Sequence, residues 1–156
     1  MFNRLKAKFG APQPSGPPET IRTFRKTDLT LTRDCVTPDQ DGWVIDLSAP
    51  QTVRLFEVED PQAEQCLIGY RAKMRSESLT GRAFLEMWCR LPGRGEFFSK
   101  GLDQALTGTT DWSSYEIPFY LKRGQRPDLI RLNVAVEGTG RVWIKDVELL
   151  RAPLGP

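Results

Sequence analysis

The sequence contains no histidine. Imidazole is the usual base beside a serine or cysteine nucleophile and a common zinc ligand, so this absence excludes histidine-based triads, proton shuttles and zinc sites. Cysteine is scarce as well, and three cysteines cannot all pair within one chain. Cys66 and Cys89 fall at apolar-facing positions of predicted strands, which is typical of small buried thiols.

Long apolar runs are also missing. No stretch approaches the roughly 20 residues that a membrane-spanning helix needs, and the first ten residues lack the apolar centre of a secretory signal. Together with the odd number of thiols, these absences lead us to expect a cytoplasmic, non-transmembrane protein. The length of 156 residues suits one domain with its own core.

The net charge of +2 is unevenly distributed along the chain. Residues 1–26 hold six basic residues against the single acid Glu19, a net charge of +5, so the remaining 130 residues carry −3. A general nucleic-acid binder spreads positive charge over its folded surface. The mildly acidic remainder therefore argues against a nucleic-acid partner.

The first residues have a pattern of their own. We expect residues 1–10 to form a basic amphipathic arm and residues 11–26 a proline-rich linker, which cannot be a helix over 11–18. Apolar side chains recur in the arm at helical spacing between cations, which suits docking on a protein partner or an anionic membrane surface. The docking residues are Phe2, Leu5, Phe9, Arg4, Lys6 and Lys8. The alternative is a tail without a partner, because ten residues are too few for a stable isolated helix.

Residues 27–152 read as many short strands separated by turn residues, which is typical of a sandwich or barrel. The predicted strands are 27–32, 43–47, 53–58, 66–75, 82–91, 96–99, 115–121, 129–137 and 141–150, with a helical turn within 100–107. The fold class is therefore an all-β, two-sheet antiparallel β-sandwich behind a short amphipathic arm.

Alternation assigns one buried and one solvated side to each strand. In strand 82–91, Met87 and Cys89 point inward and Trp88 points outward. The last strand breaks this parity after Ile144, and a bulge near Lys145 and Asp146 would restore the phase.

The end of the chain resembles that of carbohydrate-binding modules with a galactose-binding-like jelly-roll fold. The residues that carry the resemblance are Trp112 and Tyr115 ahead of a strand, Ile130 to Val136, Gly138 and Gly140, then Val-Trp-Ile-Lys-Asp-Val-Glu-Leu over 142–149. It spans roughly residues 27–150 and is sharpest over 108–150. The resemblance implies a non-catalytic domain that binds sugars on the concave side of one sheet. It also implies a structural calcium near the chain ends, for which Asp146 is the candidate ligand, although Lys145 replaces one acid of the family's usual Asp-Asp pair.

Outward residues of strands 66–75, 82–91, 115–121 and 129–137, if these share a sheet, form the candidate binding face. Aromatic rings suit stacking on sugar rings, and charged and amide groups suit hydroxyls. The candidate ligand-binding residues are Trp88, Tyr120, Phe84, Glu86, Arg90, Arg131 and Asn133.

Two other functions fit the same residues. The protein can be an accessory structural subunit of a larger protein or membrane complex, docked through the arm, the same sheet face or both. Alternatively, Glu86, Glu116 and Glu137 can supply the two carboxylates of a glycoside hydrolase. Ion pairs with nearby arginines are the simpler interpretation of these glutamates, so we expect no enzyme and no catalytic residue.

Overall fold

The computed structural model describes residues 13–154, and nine strands and one 3-10 helix make up its regular structure. The strands are β1 (Glu19–Phe24), β2 (Val36–Asp39), β3 (Gly42–Leu47), β4 (Gln51–Glu59), β5 (Cys66–Leu91), β6 (Gly95–Lys100), β7 (Leu106–Tyr120), β8 (Leu129–Val136) and β9 (Gly140–Pro153), with the 3-10 helix (Leu102–Gln104) between β6 and β7. All pairings between these strands are antiparallel.

The strands form a curled sheet that folds into two layers, which share β5. In the first layer the order is β2-β3-β9-β5-β7, with β1 also on β9, and it uses residues 66–77 of β5. In the second layer the order is β4-β8-β5-β6, and it uses residues 83–91 of β5. This arrangement confirms the predicted all-β sandwich of jelly-roll type.

The long strand β5 passes from one layer to the other between Ser76 and Ala83, where its pairing with β7 shifts register repeatedly. Ser78 and Gly81 have positive φ angles of 50° and 66° in this stretch. A Cβ atom at residue 81 would lie 2.4 Å from the Glu137 carbonyl oxygen, so only glycine fits there. Prediction treated this bend as a break between two strands, because turn residues interrupt the alternation.

The core lies between the layers and takes alternate side chains from both. Met87 and Cys89 are fully buried within it, and so are Tyr70 and Ile144. The Tyr70 hydroxyl crosses the core and donates a 3.2 Å hydrogen bond to the backbone carbonyl of Asn133 in the opposite layer. Burial, and after it the charge of Glu86, raises the pKa of Tyr70.

The bulge predicted in the last strand is present. Arg71 pairs with Glu148 but Lys73 pairs with Lys145, so β9 carries one extra residue between these pairs. Asp146 has a φ of 53° at this point, a conformation that aspartate tolerates better than most residues. The bulge restores the phase, since Ile144 before it and Val147 after it are both in the core.

The cysteines are free thiols in this fold, and Cys66 and Cys89 are buried as predicted. Burial raises the pKa of Cys89 to about 12, with a smaller contribution from Cys66. Burial likewise raises the pKa of Cys66 and of the half-buried Cys35. Neutral thiols are poor nucleophiles, so these cysteines behave as apolar residues.

Three strand predictions need correction. Residues 19–24 form β1 beside β9, although the sequence placed them in the linker. This edge strand buries only Phe24, so it lacks the alternation by which strands are recognised. Residues 27–32 were predicted as a strand but do not form one. Leu31 and Thr32 only donate backbone hydrogen bonds to residues along the edge of β4. Residues 36–39 form β2, although the sequence indicated a break between strands over 38–42.

A fourth correction concerns the binding face. The strands expected to share one sheet divide between the layers, because 66–77 and 113–120 pair in the first and 83–91 and 129–136 pair in the second. Alternation tells which side chains are buried but not which strands are neighbours.

Candidate functional site

The outer face of the second layer has its side chains arranged in rows across four strands. One row places Arg54, Asn133, Glu86 and Lys100 side by side on β4, β8, β5 and β6. The next row follows the same order with Glu57, Arg131, Trp88 and Phe98. At about 4.8 Å between neighbouring strands, each row is about 14 Å long.

A groove of about 440 Å³ opens on this face, and the name groove is kept for it below. It is lined by Thr52, Arg54, Glu86, Trp88, Glu96, Arg131 and Asn133. Trp88 points out of the core as predicted, because Met87 and Cys89 on either side of it are fully buried.

Glu86 is the centre of the polar network in the groove. Its Oε1 atom accepts hydrogen bonds from Trp88 Nε1 at 3.0 Å and from Asn133 Nδ2 at 2.9 Å. Its Oε2 atom lies 3.7 Å from the Lys100 ammonium group. Although they face outward, Glu86 and Asn133 are each only 5% exposed. The polar groups therefore lie at the bottom of the groove, where hydrogen bonds are little weakened by water.

Asn133 carries an unused acceptor. Its amide nitrogen faces the Glu86 carboxylate, which leaves its Oδ1 atom buried without a hydrogen-bond partner among residues 13–154. A buried carbonyl oxygen of this kind costs free energy until a donor reaches it. The floor of the groove thus contains a buried acceptor that no described residue satisfies.

Aromatic rings lie beside this network. Trp88 is half-buried and Phe98 is 56% exposed, and their ring centroids are 5.3 Å apart at an interplanar angle of 56°. Lys100 Nζ lies 4.7 Å from the Phe98 centroid. Both rings belong to one row, so they form a continuous apolar surface beside Glu86.

Opposite charges are paired around the groove. Arg131 donates to Glu57 at 3.0 Å and also to Glu96, which ties β8 to β4 and to the chain segment of β6. Arg54 lies 3.6 Å from the same Glu57 carboxylate. With Glu86 paired to Lys100, the groove presents donors and acceptors without a strong net charge.

The structure brings together only part of the predicted ligand set. Trp88, Glu86, Asn133 and Arg131 meet in the groove. Phe84 faces the same side but is 2% exposed, so its ring is not open for stacking as it stands.

The other two predicted residues lie elsewhere. Arg90 is engaged by Asp128 through bonds of 2.8 and 3.2 Å, and it does not line the groove. Tyr120 is exposed but pairs with Leu67 in the first layer, away from Trp88.

Sequence reasoning missed Phe98 and Lys100 on β6 and Arg54 on β4. Their strands were predicted, but adjacent Phe97 and Phe98 give no alternation that says which ring faces outward. Only the pairing of Phe98 with Trp88 in the structure shows that the Phe98 ring faces outward.

The three glutamates considered for catalysis are not assembled into a pair. Glu86 and Glu116 lie on strands of different layers and face outward from each. Glu137 forms an ion pair with Arg82 at 2.5 Å.

Asp146, the candidate calcium ligand, lies 3.5 Å from the Lys73 ammonium group. Within residues 13–154, no three carboxylate or thiol side chains come close enough together to hold a metal. The charged neighbour of Asp146 is thus a cation, and a calcium ion at this place stays a prediction.

The docking residues of the arm, Phe2 to Phe9, lie outside the described residues, so that role also stays a prediction. Over residues 13–154 the structure has no helix with the length and apolarity of a membrane span.

Comparison with known proteins adds the fold family. No protein-family model matches the chain, and no curated protein matches its sequence. Among solved structures, a family 22 xylan-binding domain from Paenibacillus barcinonensis superposes with a TM-score of 0.55 at 8% identity, over 90% of this chain and 99% of that domain. The chain has the jelly-roll fold of carbohydrate-binding modules.

Two further structures agree. A family 4 carbohydrate-binding module gives a TM-score of 0.54 at 11% identity, covering 80% of this chain and 81% of that one. A family 29 carbohydrate-binding module gives 0.53 at 12% identity, covering 88% and 93%. Identities this low show a shared fold, and a fold hosts many functions, so function has to be argued from the groove.

Proposed function

We propose that this protein is a non-catalytic glycan-binding domain that holds an uncharged oligosaccharide in the groove. The observation that carries the proposal is the juxtaposition of Trp88 and Phe98 with the buried Glu86–Asn133 pair. Aromatic faces stack on the C–H faces of sugar rings, while recessed polar atoms bind hydroxyls. The jelly-roll fold supports this interpretation as an analogy.

Each group has a distinct role in this proposal. Trp88 and Phe98 provide the stacking surface, and the polar side chains that line the groove beside them, among them Arg54 and Glu96, bind sugar hydroxyls. Glu86 holds both the Trp88 indole and the Asn133 amide in position. Because Glu86 already accepts two hydrogen bonds and faces Lys100, it orients neighbours instead of exchanging protons with the ligand. The paired charges suit an uncharged ligand.

The test is a glycan array with the wild type, followed by calorimetric titration of the best hit. Trp88→Ala should weaken binding by about 30-fold or more, the size expected for an aromatic hot spot. Phe98→Ala should weaken it less, because that ring lies on the edge strand β6.

The matched control is Phe97→Ala, which removes an exposed ring (43%) from the next residue of the same strand. It should leave binding unchanged. Absence of any glycan hit for the folded wild type, or equal losses for Phe97→Ala and Trp88→Ala, would overturn the proposal.

A further inference from the structure

The outer face of the first layer carries a different set of side chains from the groove. Three successive outward positions of β5 are basic: Arg71, Lys73 and Arg75. Glu148 holds Arg71 at 2.8 Å, and Asp146 at the bulge of β9 lies 3.5 Å from Lys73. Among residues 13–154 Arg75 has no such neighbour, and the residue opposite it on β9 is Trp143.

A fourth cation completes this cluster. Lys145 on β9 lies directly opposite Lys73 on β5, and like charges in that position are unfavourable. Lys145 and Arg75 contact indole rings instead of carboxylates. Lys145 Nζ lies 4.2 Å from the Trp112 centroid, and the Arg75 guanidinium lies 3.7 Å from the Trp143 centroid. Within the described part of the chain, neither cation forms an ion pair.

The cluster is held in a fixed arrangement. Trp143 Nε1 donates a 2.9 Å hydrogen bond to Asp39 on β2, which orients the indole under Arg75. The Arg75 guanidinium also lies 5.7 Å from the Trp112 centroid, so the two indoles flank it along one row. A cation over an aromatic ring keeps its charge and its N–H donors, so both cations can still bind an anion.

A hollow of about 420 Å³ adjoins the cluster. Lys73, Ser114 and Asp146 are among its lining residues, which puts it one row away from Arg75 and Trp112. Thr23 and Ser114 add hydroxyl groups to this lining. Arg71 and Glu148 also line it, so the hollow offers apolar surface together with hydroxyl and charged groups to a hydroxylated ring. The neighbouring cations suit a negative group on that ring.

We propose that Arg75, Lys145, Trp112 and Trp143 form a second binding site, for an acidic saccharide that bears a carboxylate or sulfate group. The anionic group bridges Arg75 and Lys145, and the sugar ring lies in the hollow beside Ser114. This site is on the opposite outer face from the groove and does not depend on what the groove binds.

The test is calorimetric titration of the whole protein with an oligogalacturonate, with its methyl-esterified form, and with a sulfated oligosaccharide. Esterification removes the charge and keeps the rings, so only the charged forms should bind at this site. Arg75→Gln and Lys145→Gln should each weaken binding about tenfold, the size of a lost charge-assisted hydrogen bond. Arg75→Lys should recover part of the loss because it restores the charge.

The control variant is Arg123→Gln, which removes an exposed cation from a loop tip and should change nothing. Trp88→Ala should also leave the acidic saccharide bound, which separates this site from the groove. Equal binding of the esterified probe, equal losses with Arg123→Gln, or tighter binding of a single-stranded oligonucleotide would overturn the proposal. Circular dichroism of each variant tells a lost site from a lost fold.

Discussion

The two outer faces of this sandwich come from the same kind of strand but differ in how they treat charge. On the second layer, Glu86 and Asn133 are nearly inaccessible and bonded to each other. On the first layer, Lys73 and Asp146 are about half exposed, at 50% and 55%. Recessed polar groups in fixed geometry suit recognition of a defined neutral ligand, whereas cations that keep solvent contact suit attraction of an anion. A sandwich can thus carry two unlike surfaces without changing its core.

The largest expected difference between the faces is in stability. Glu86→Ala leaves the Trp88 and Asn133 donors without an acceptor in a buried place, which should cost about 2 kcal/mol of unfolding free energy. Glu148→Ala removes a partner of Arg71 on the first layer, where both side chains keep solvent contact, and should cost less than about 1 kcal/mol. Urea denaturation of both variants measures this. Equal losses would show that Glu86 is not recessed in solution.

The next largest difference is expected in how strongly ligand affinity at the two proposed sites depends on salt. Between about 0.01 M and 1 M salt the Debye length falls from about 30 Å to about 3 Å. Acidic-saccharide binding at the Arg75 cluster should weaken severalfold over this range, because it depends on the charges of Arg75 and Lys145, which are only partly buried. Neutral glycan binding in the groove should stay nearly constant. Titrations at the two salt concentrations decide this, and parallel salt dependence would mean that both ligands use one surface.

The smallest effect is expected at the solvent-exposed Arg90–Asp128 pair. The hydrogen bond from Arg90 holds the pKa of Asp128 below its ordinary value of 3.8. Since the folded-state pKa is the lower one, this stabilisation is present above about pH 4 and is lost as the pH falls through the folded pKa. Asp128→Asn should therefore be slightly less stable than wild type at pH 7 and equal to it in acid.

Denaturation curves at several pH values measure the difference in unfolding free energy between wild type and Asp128→Asn. High salt should reduce this difference. A stability difference that grows in acid would contradict a stabilising Arg90–Asp128 ion pair. Adding salt at neutral pH is the useful control, because it weakens the Arg90–Asp128 ion pair without protonating other carboxylates.

Local pattern was sufficient for part of the fold. Trp88 between Met87 and Cys89 was correctly placed outward from alternation alone, and the lost parity after Ile144 correctly located the bulge at Asp146. These predictions succeeded because a strand points successive side chains to opposite sides whatever lies beside it. Predictions of which residues share one face depend on which strands are neighbours, and alternation does not tell this. Tyr120 was therefore predicted to lie on the same face as Trp88, although it lies on the other layer.

The sequence by itself determined the in-or-out phase of most strands, the all-β class and the absence of histidine chemistry. Only the tertiary structure decided which outward residues meet: β5 runs through both layers, so Trp88 is joined by Phe98 and Asn133 while Tyr120 lies elsewhere. The physical reason is that alternation arises within one strand, whereas a binding surface arises across strands. Which strands become neighbours depends on hydrogen bonds between distant segments, and no local pattern records them.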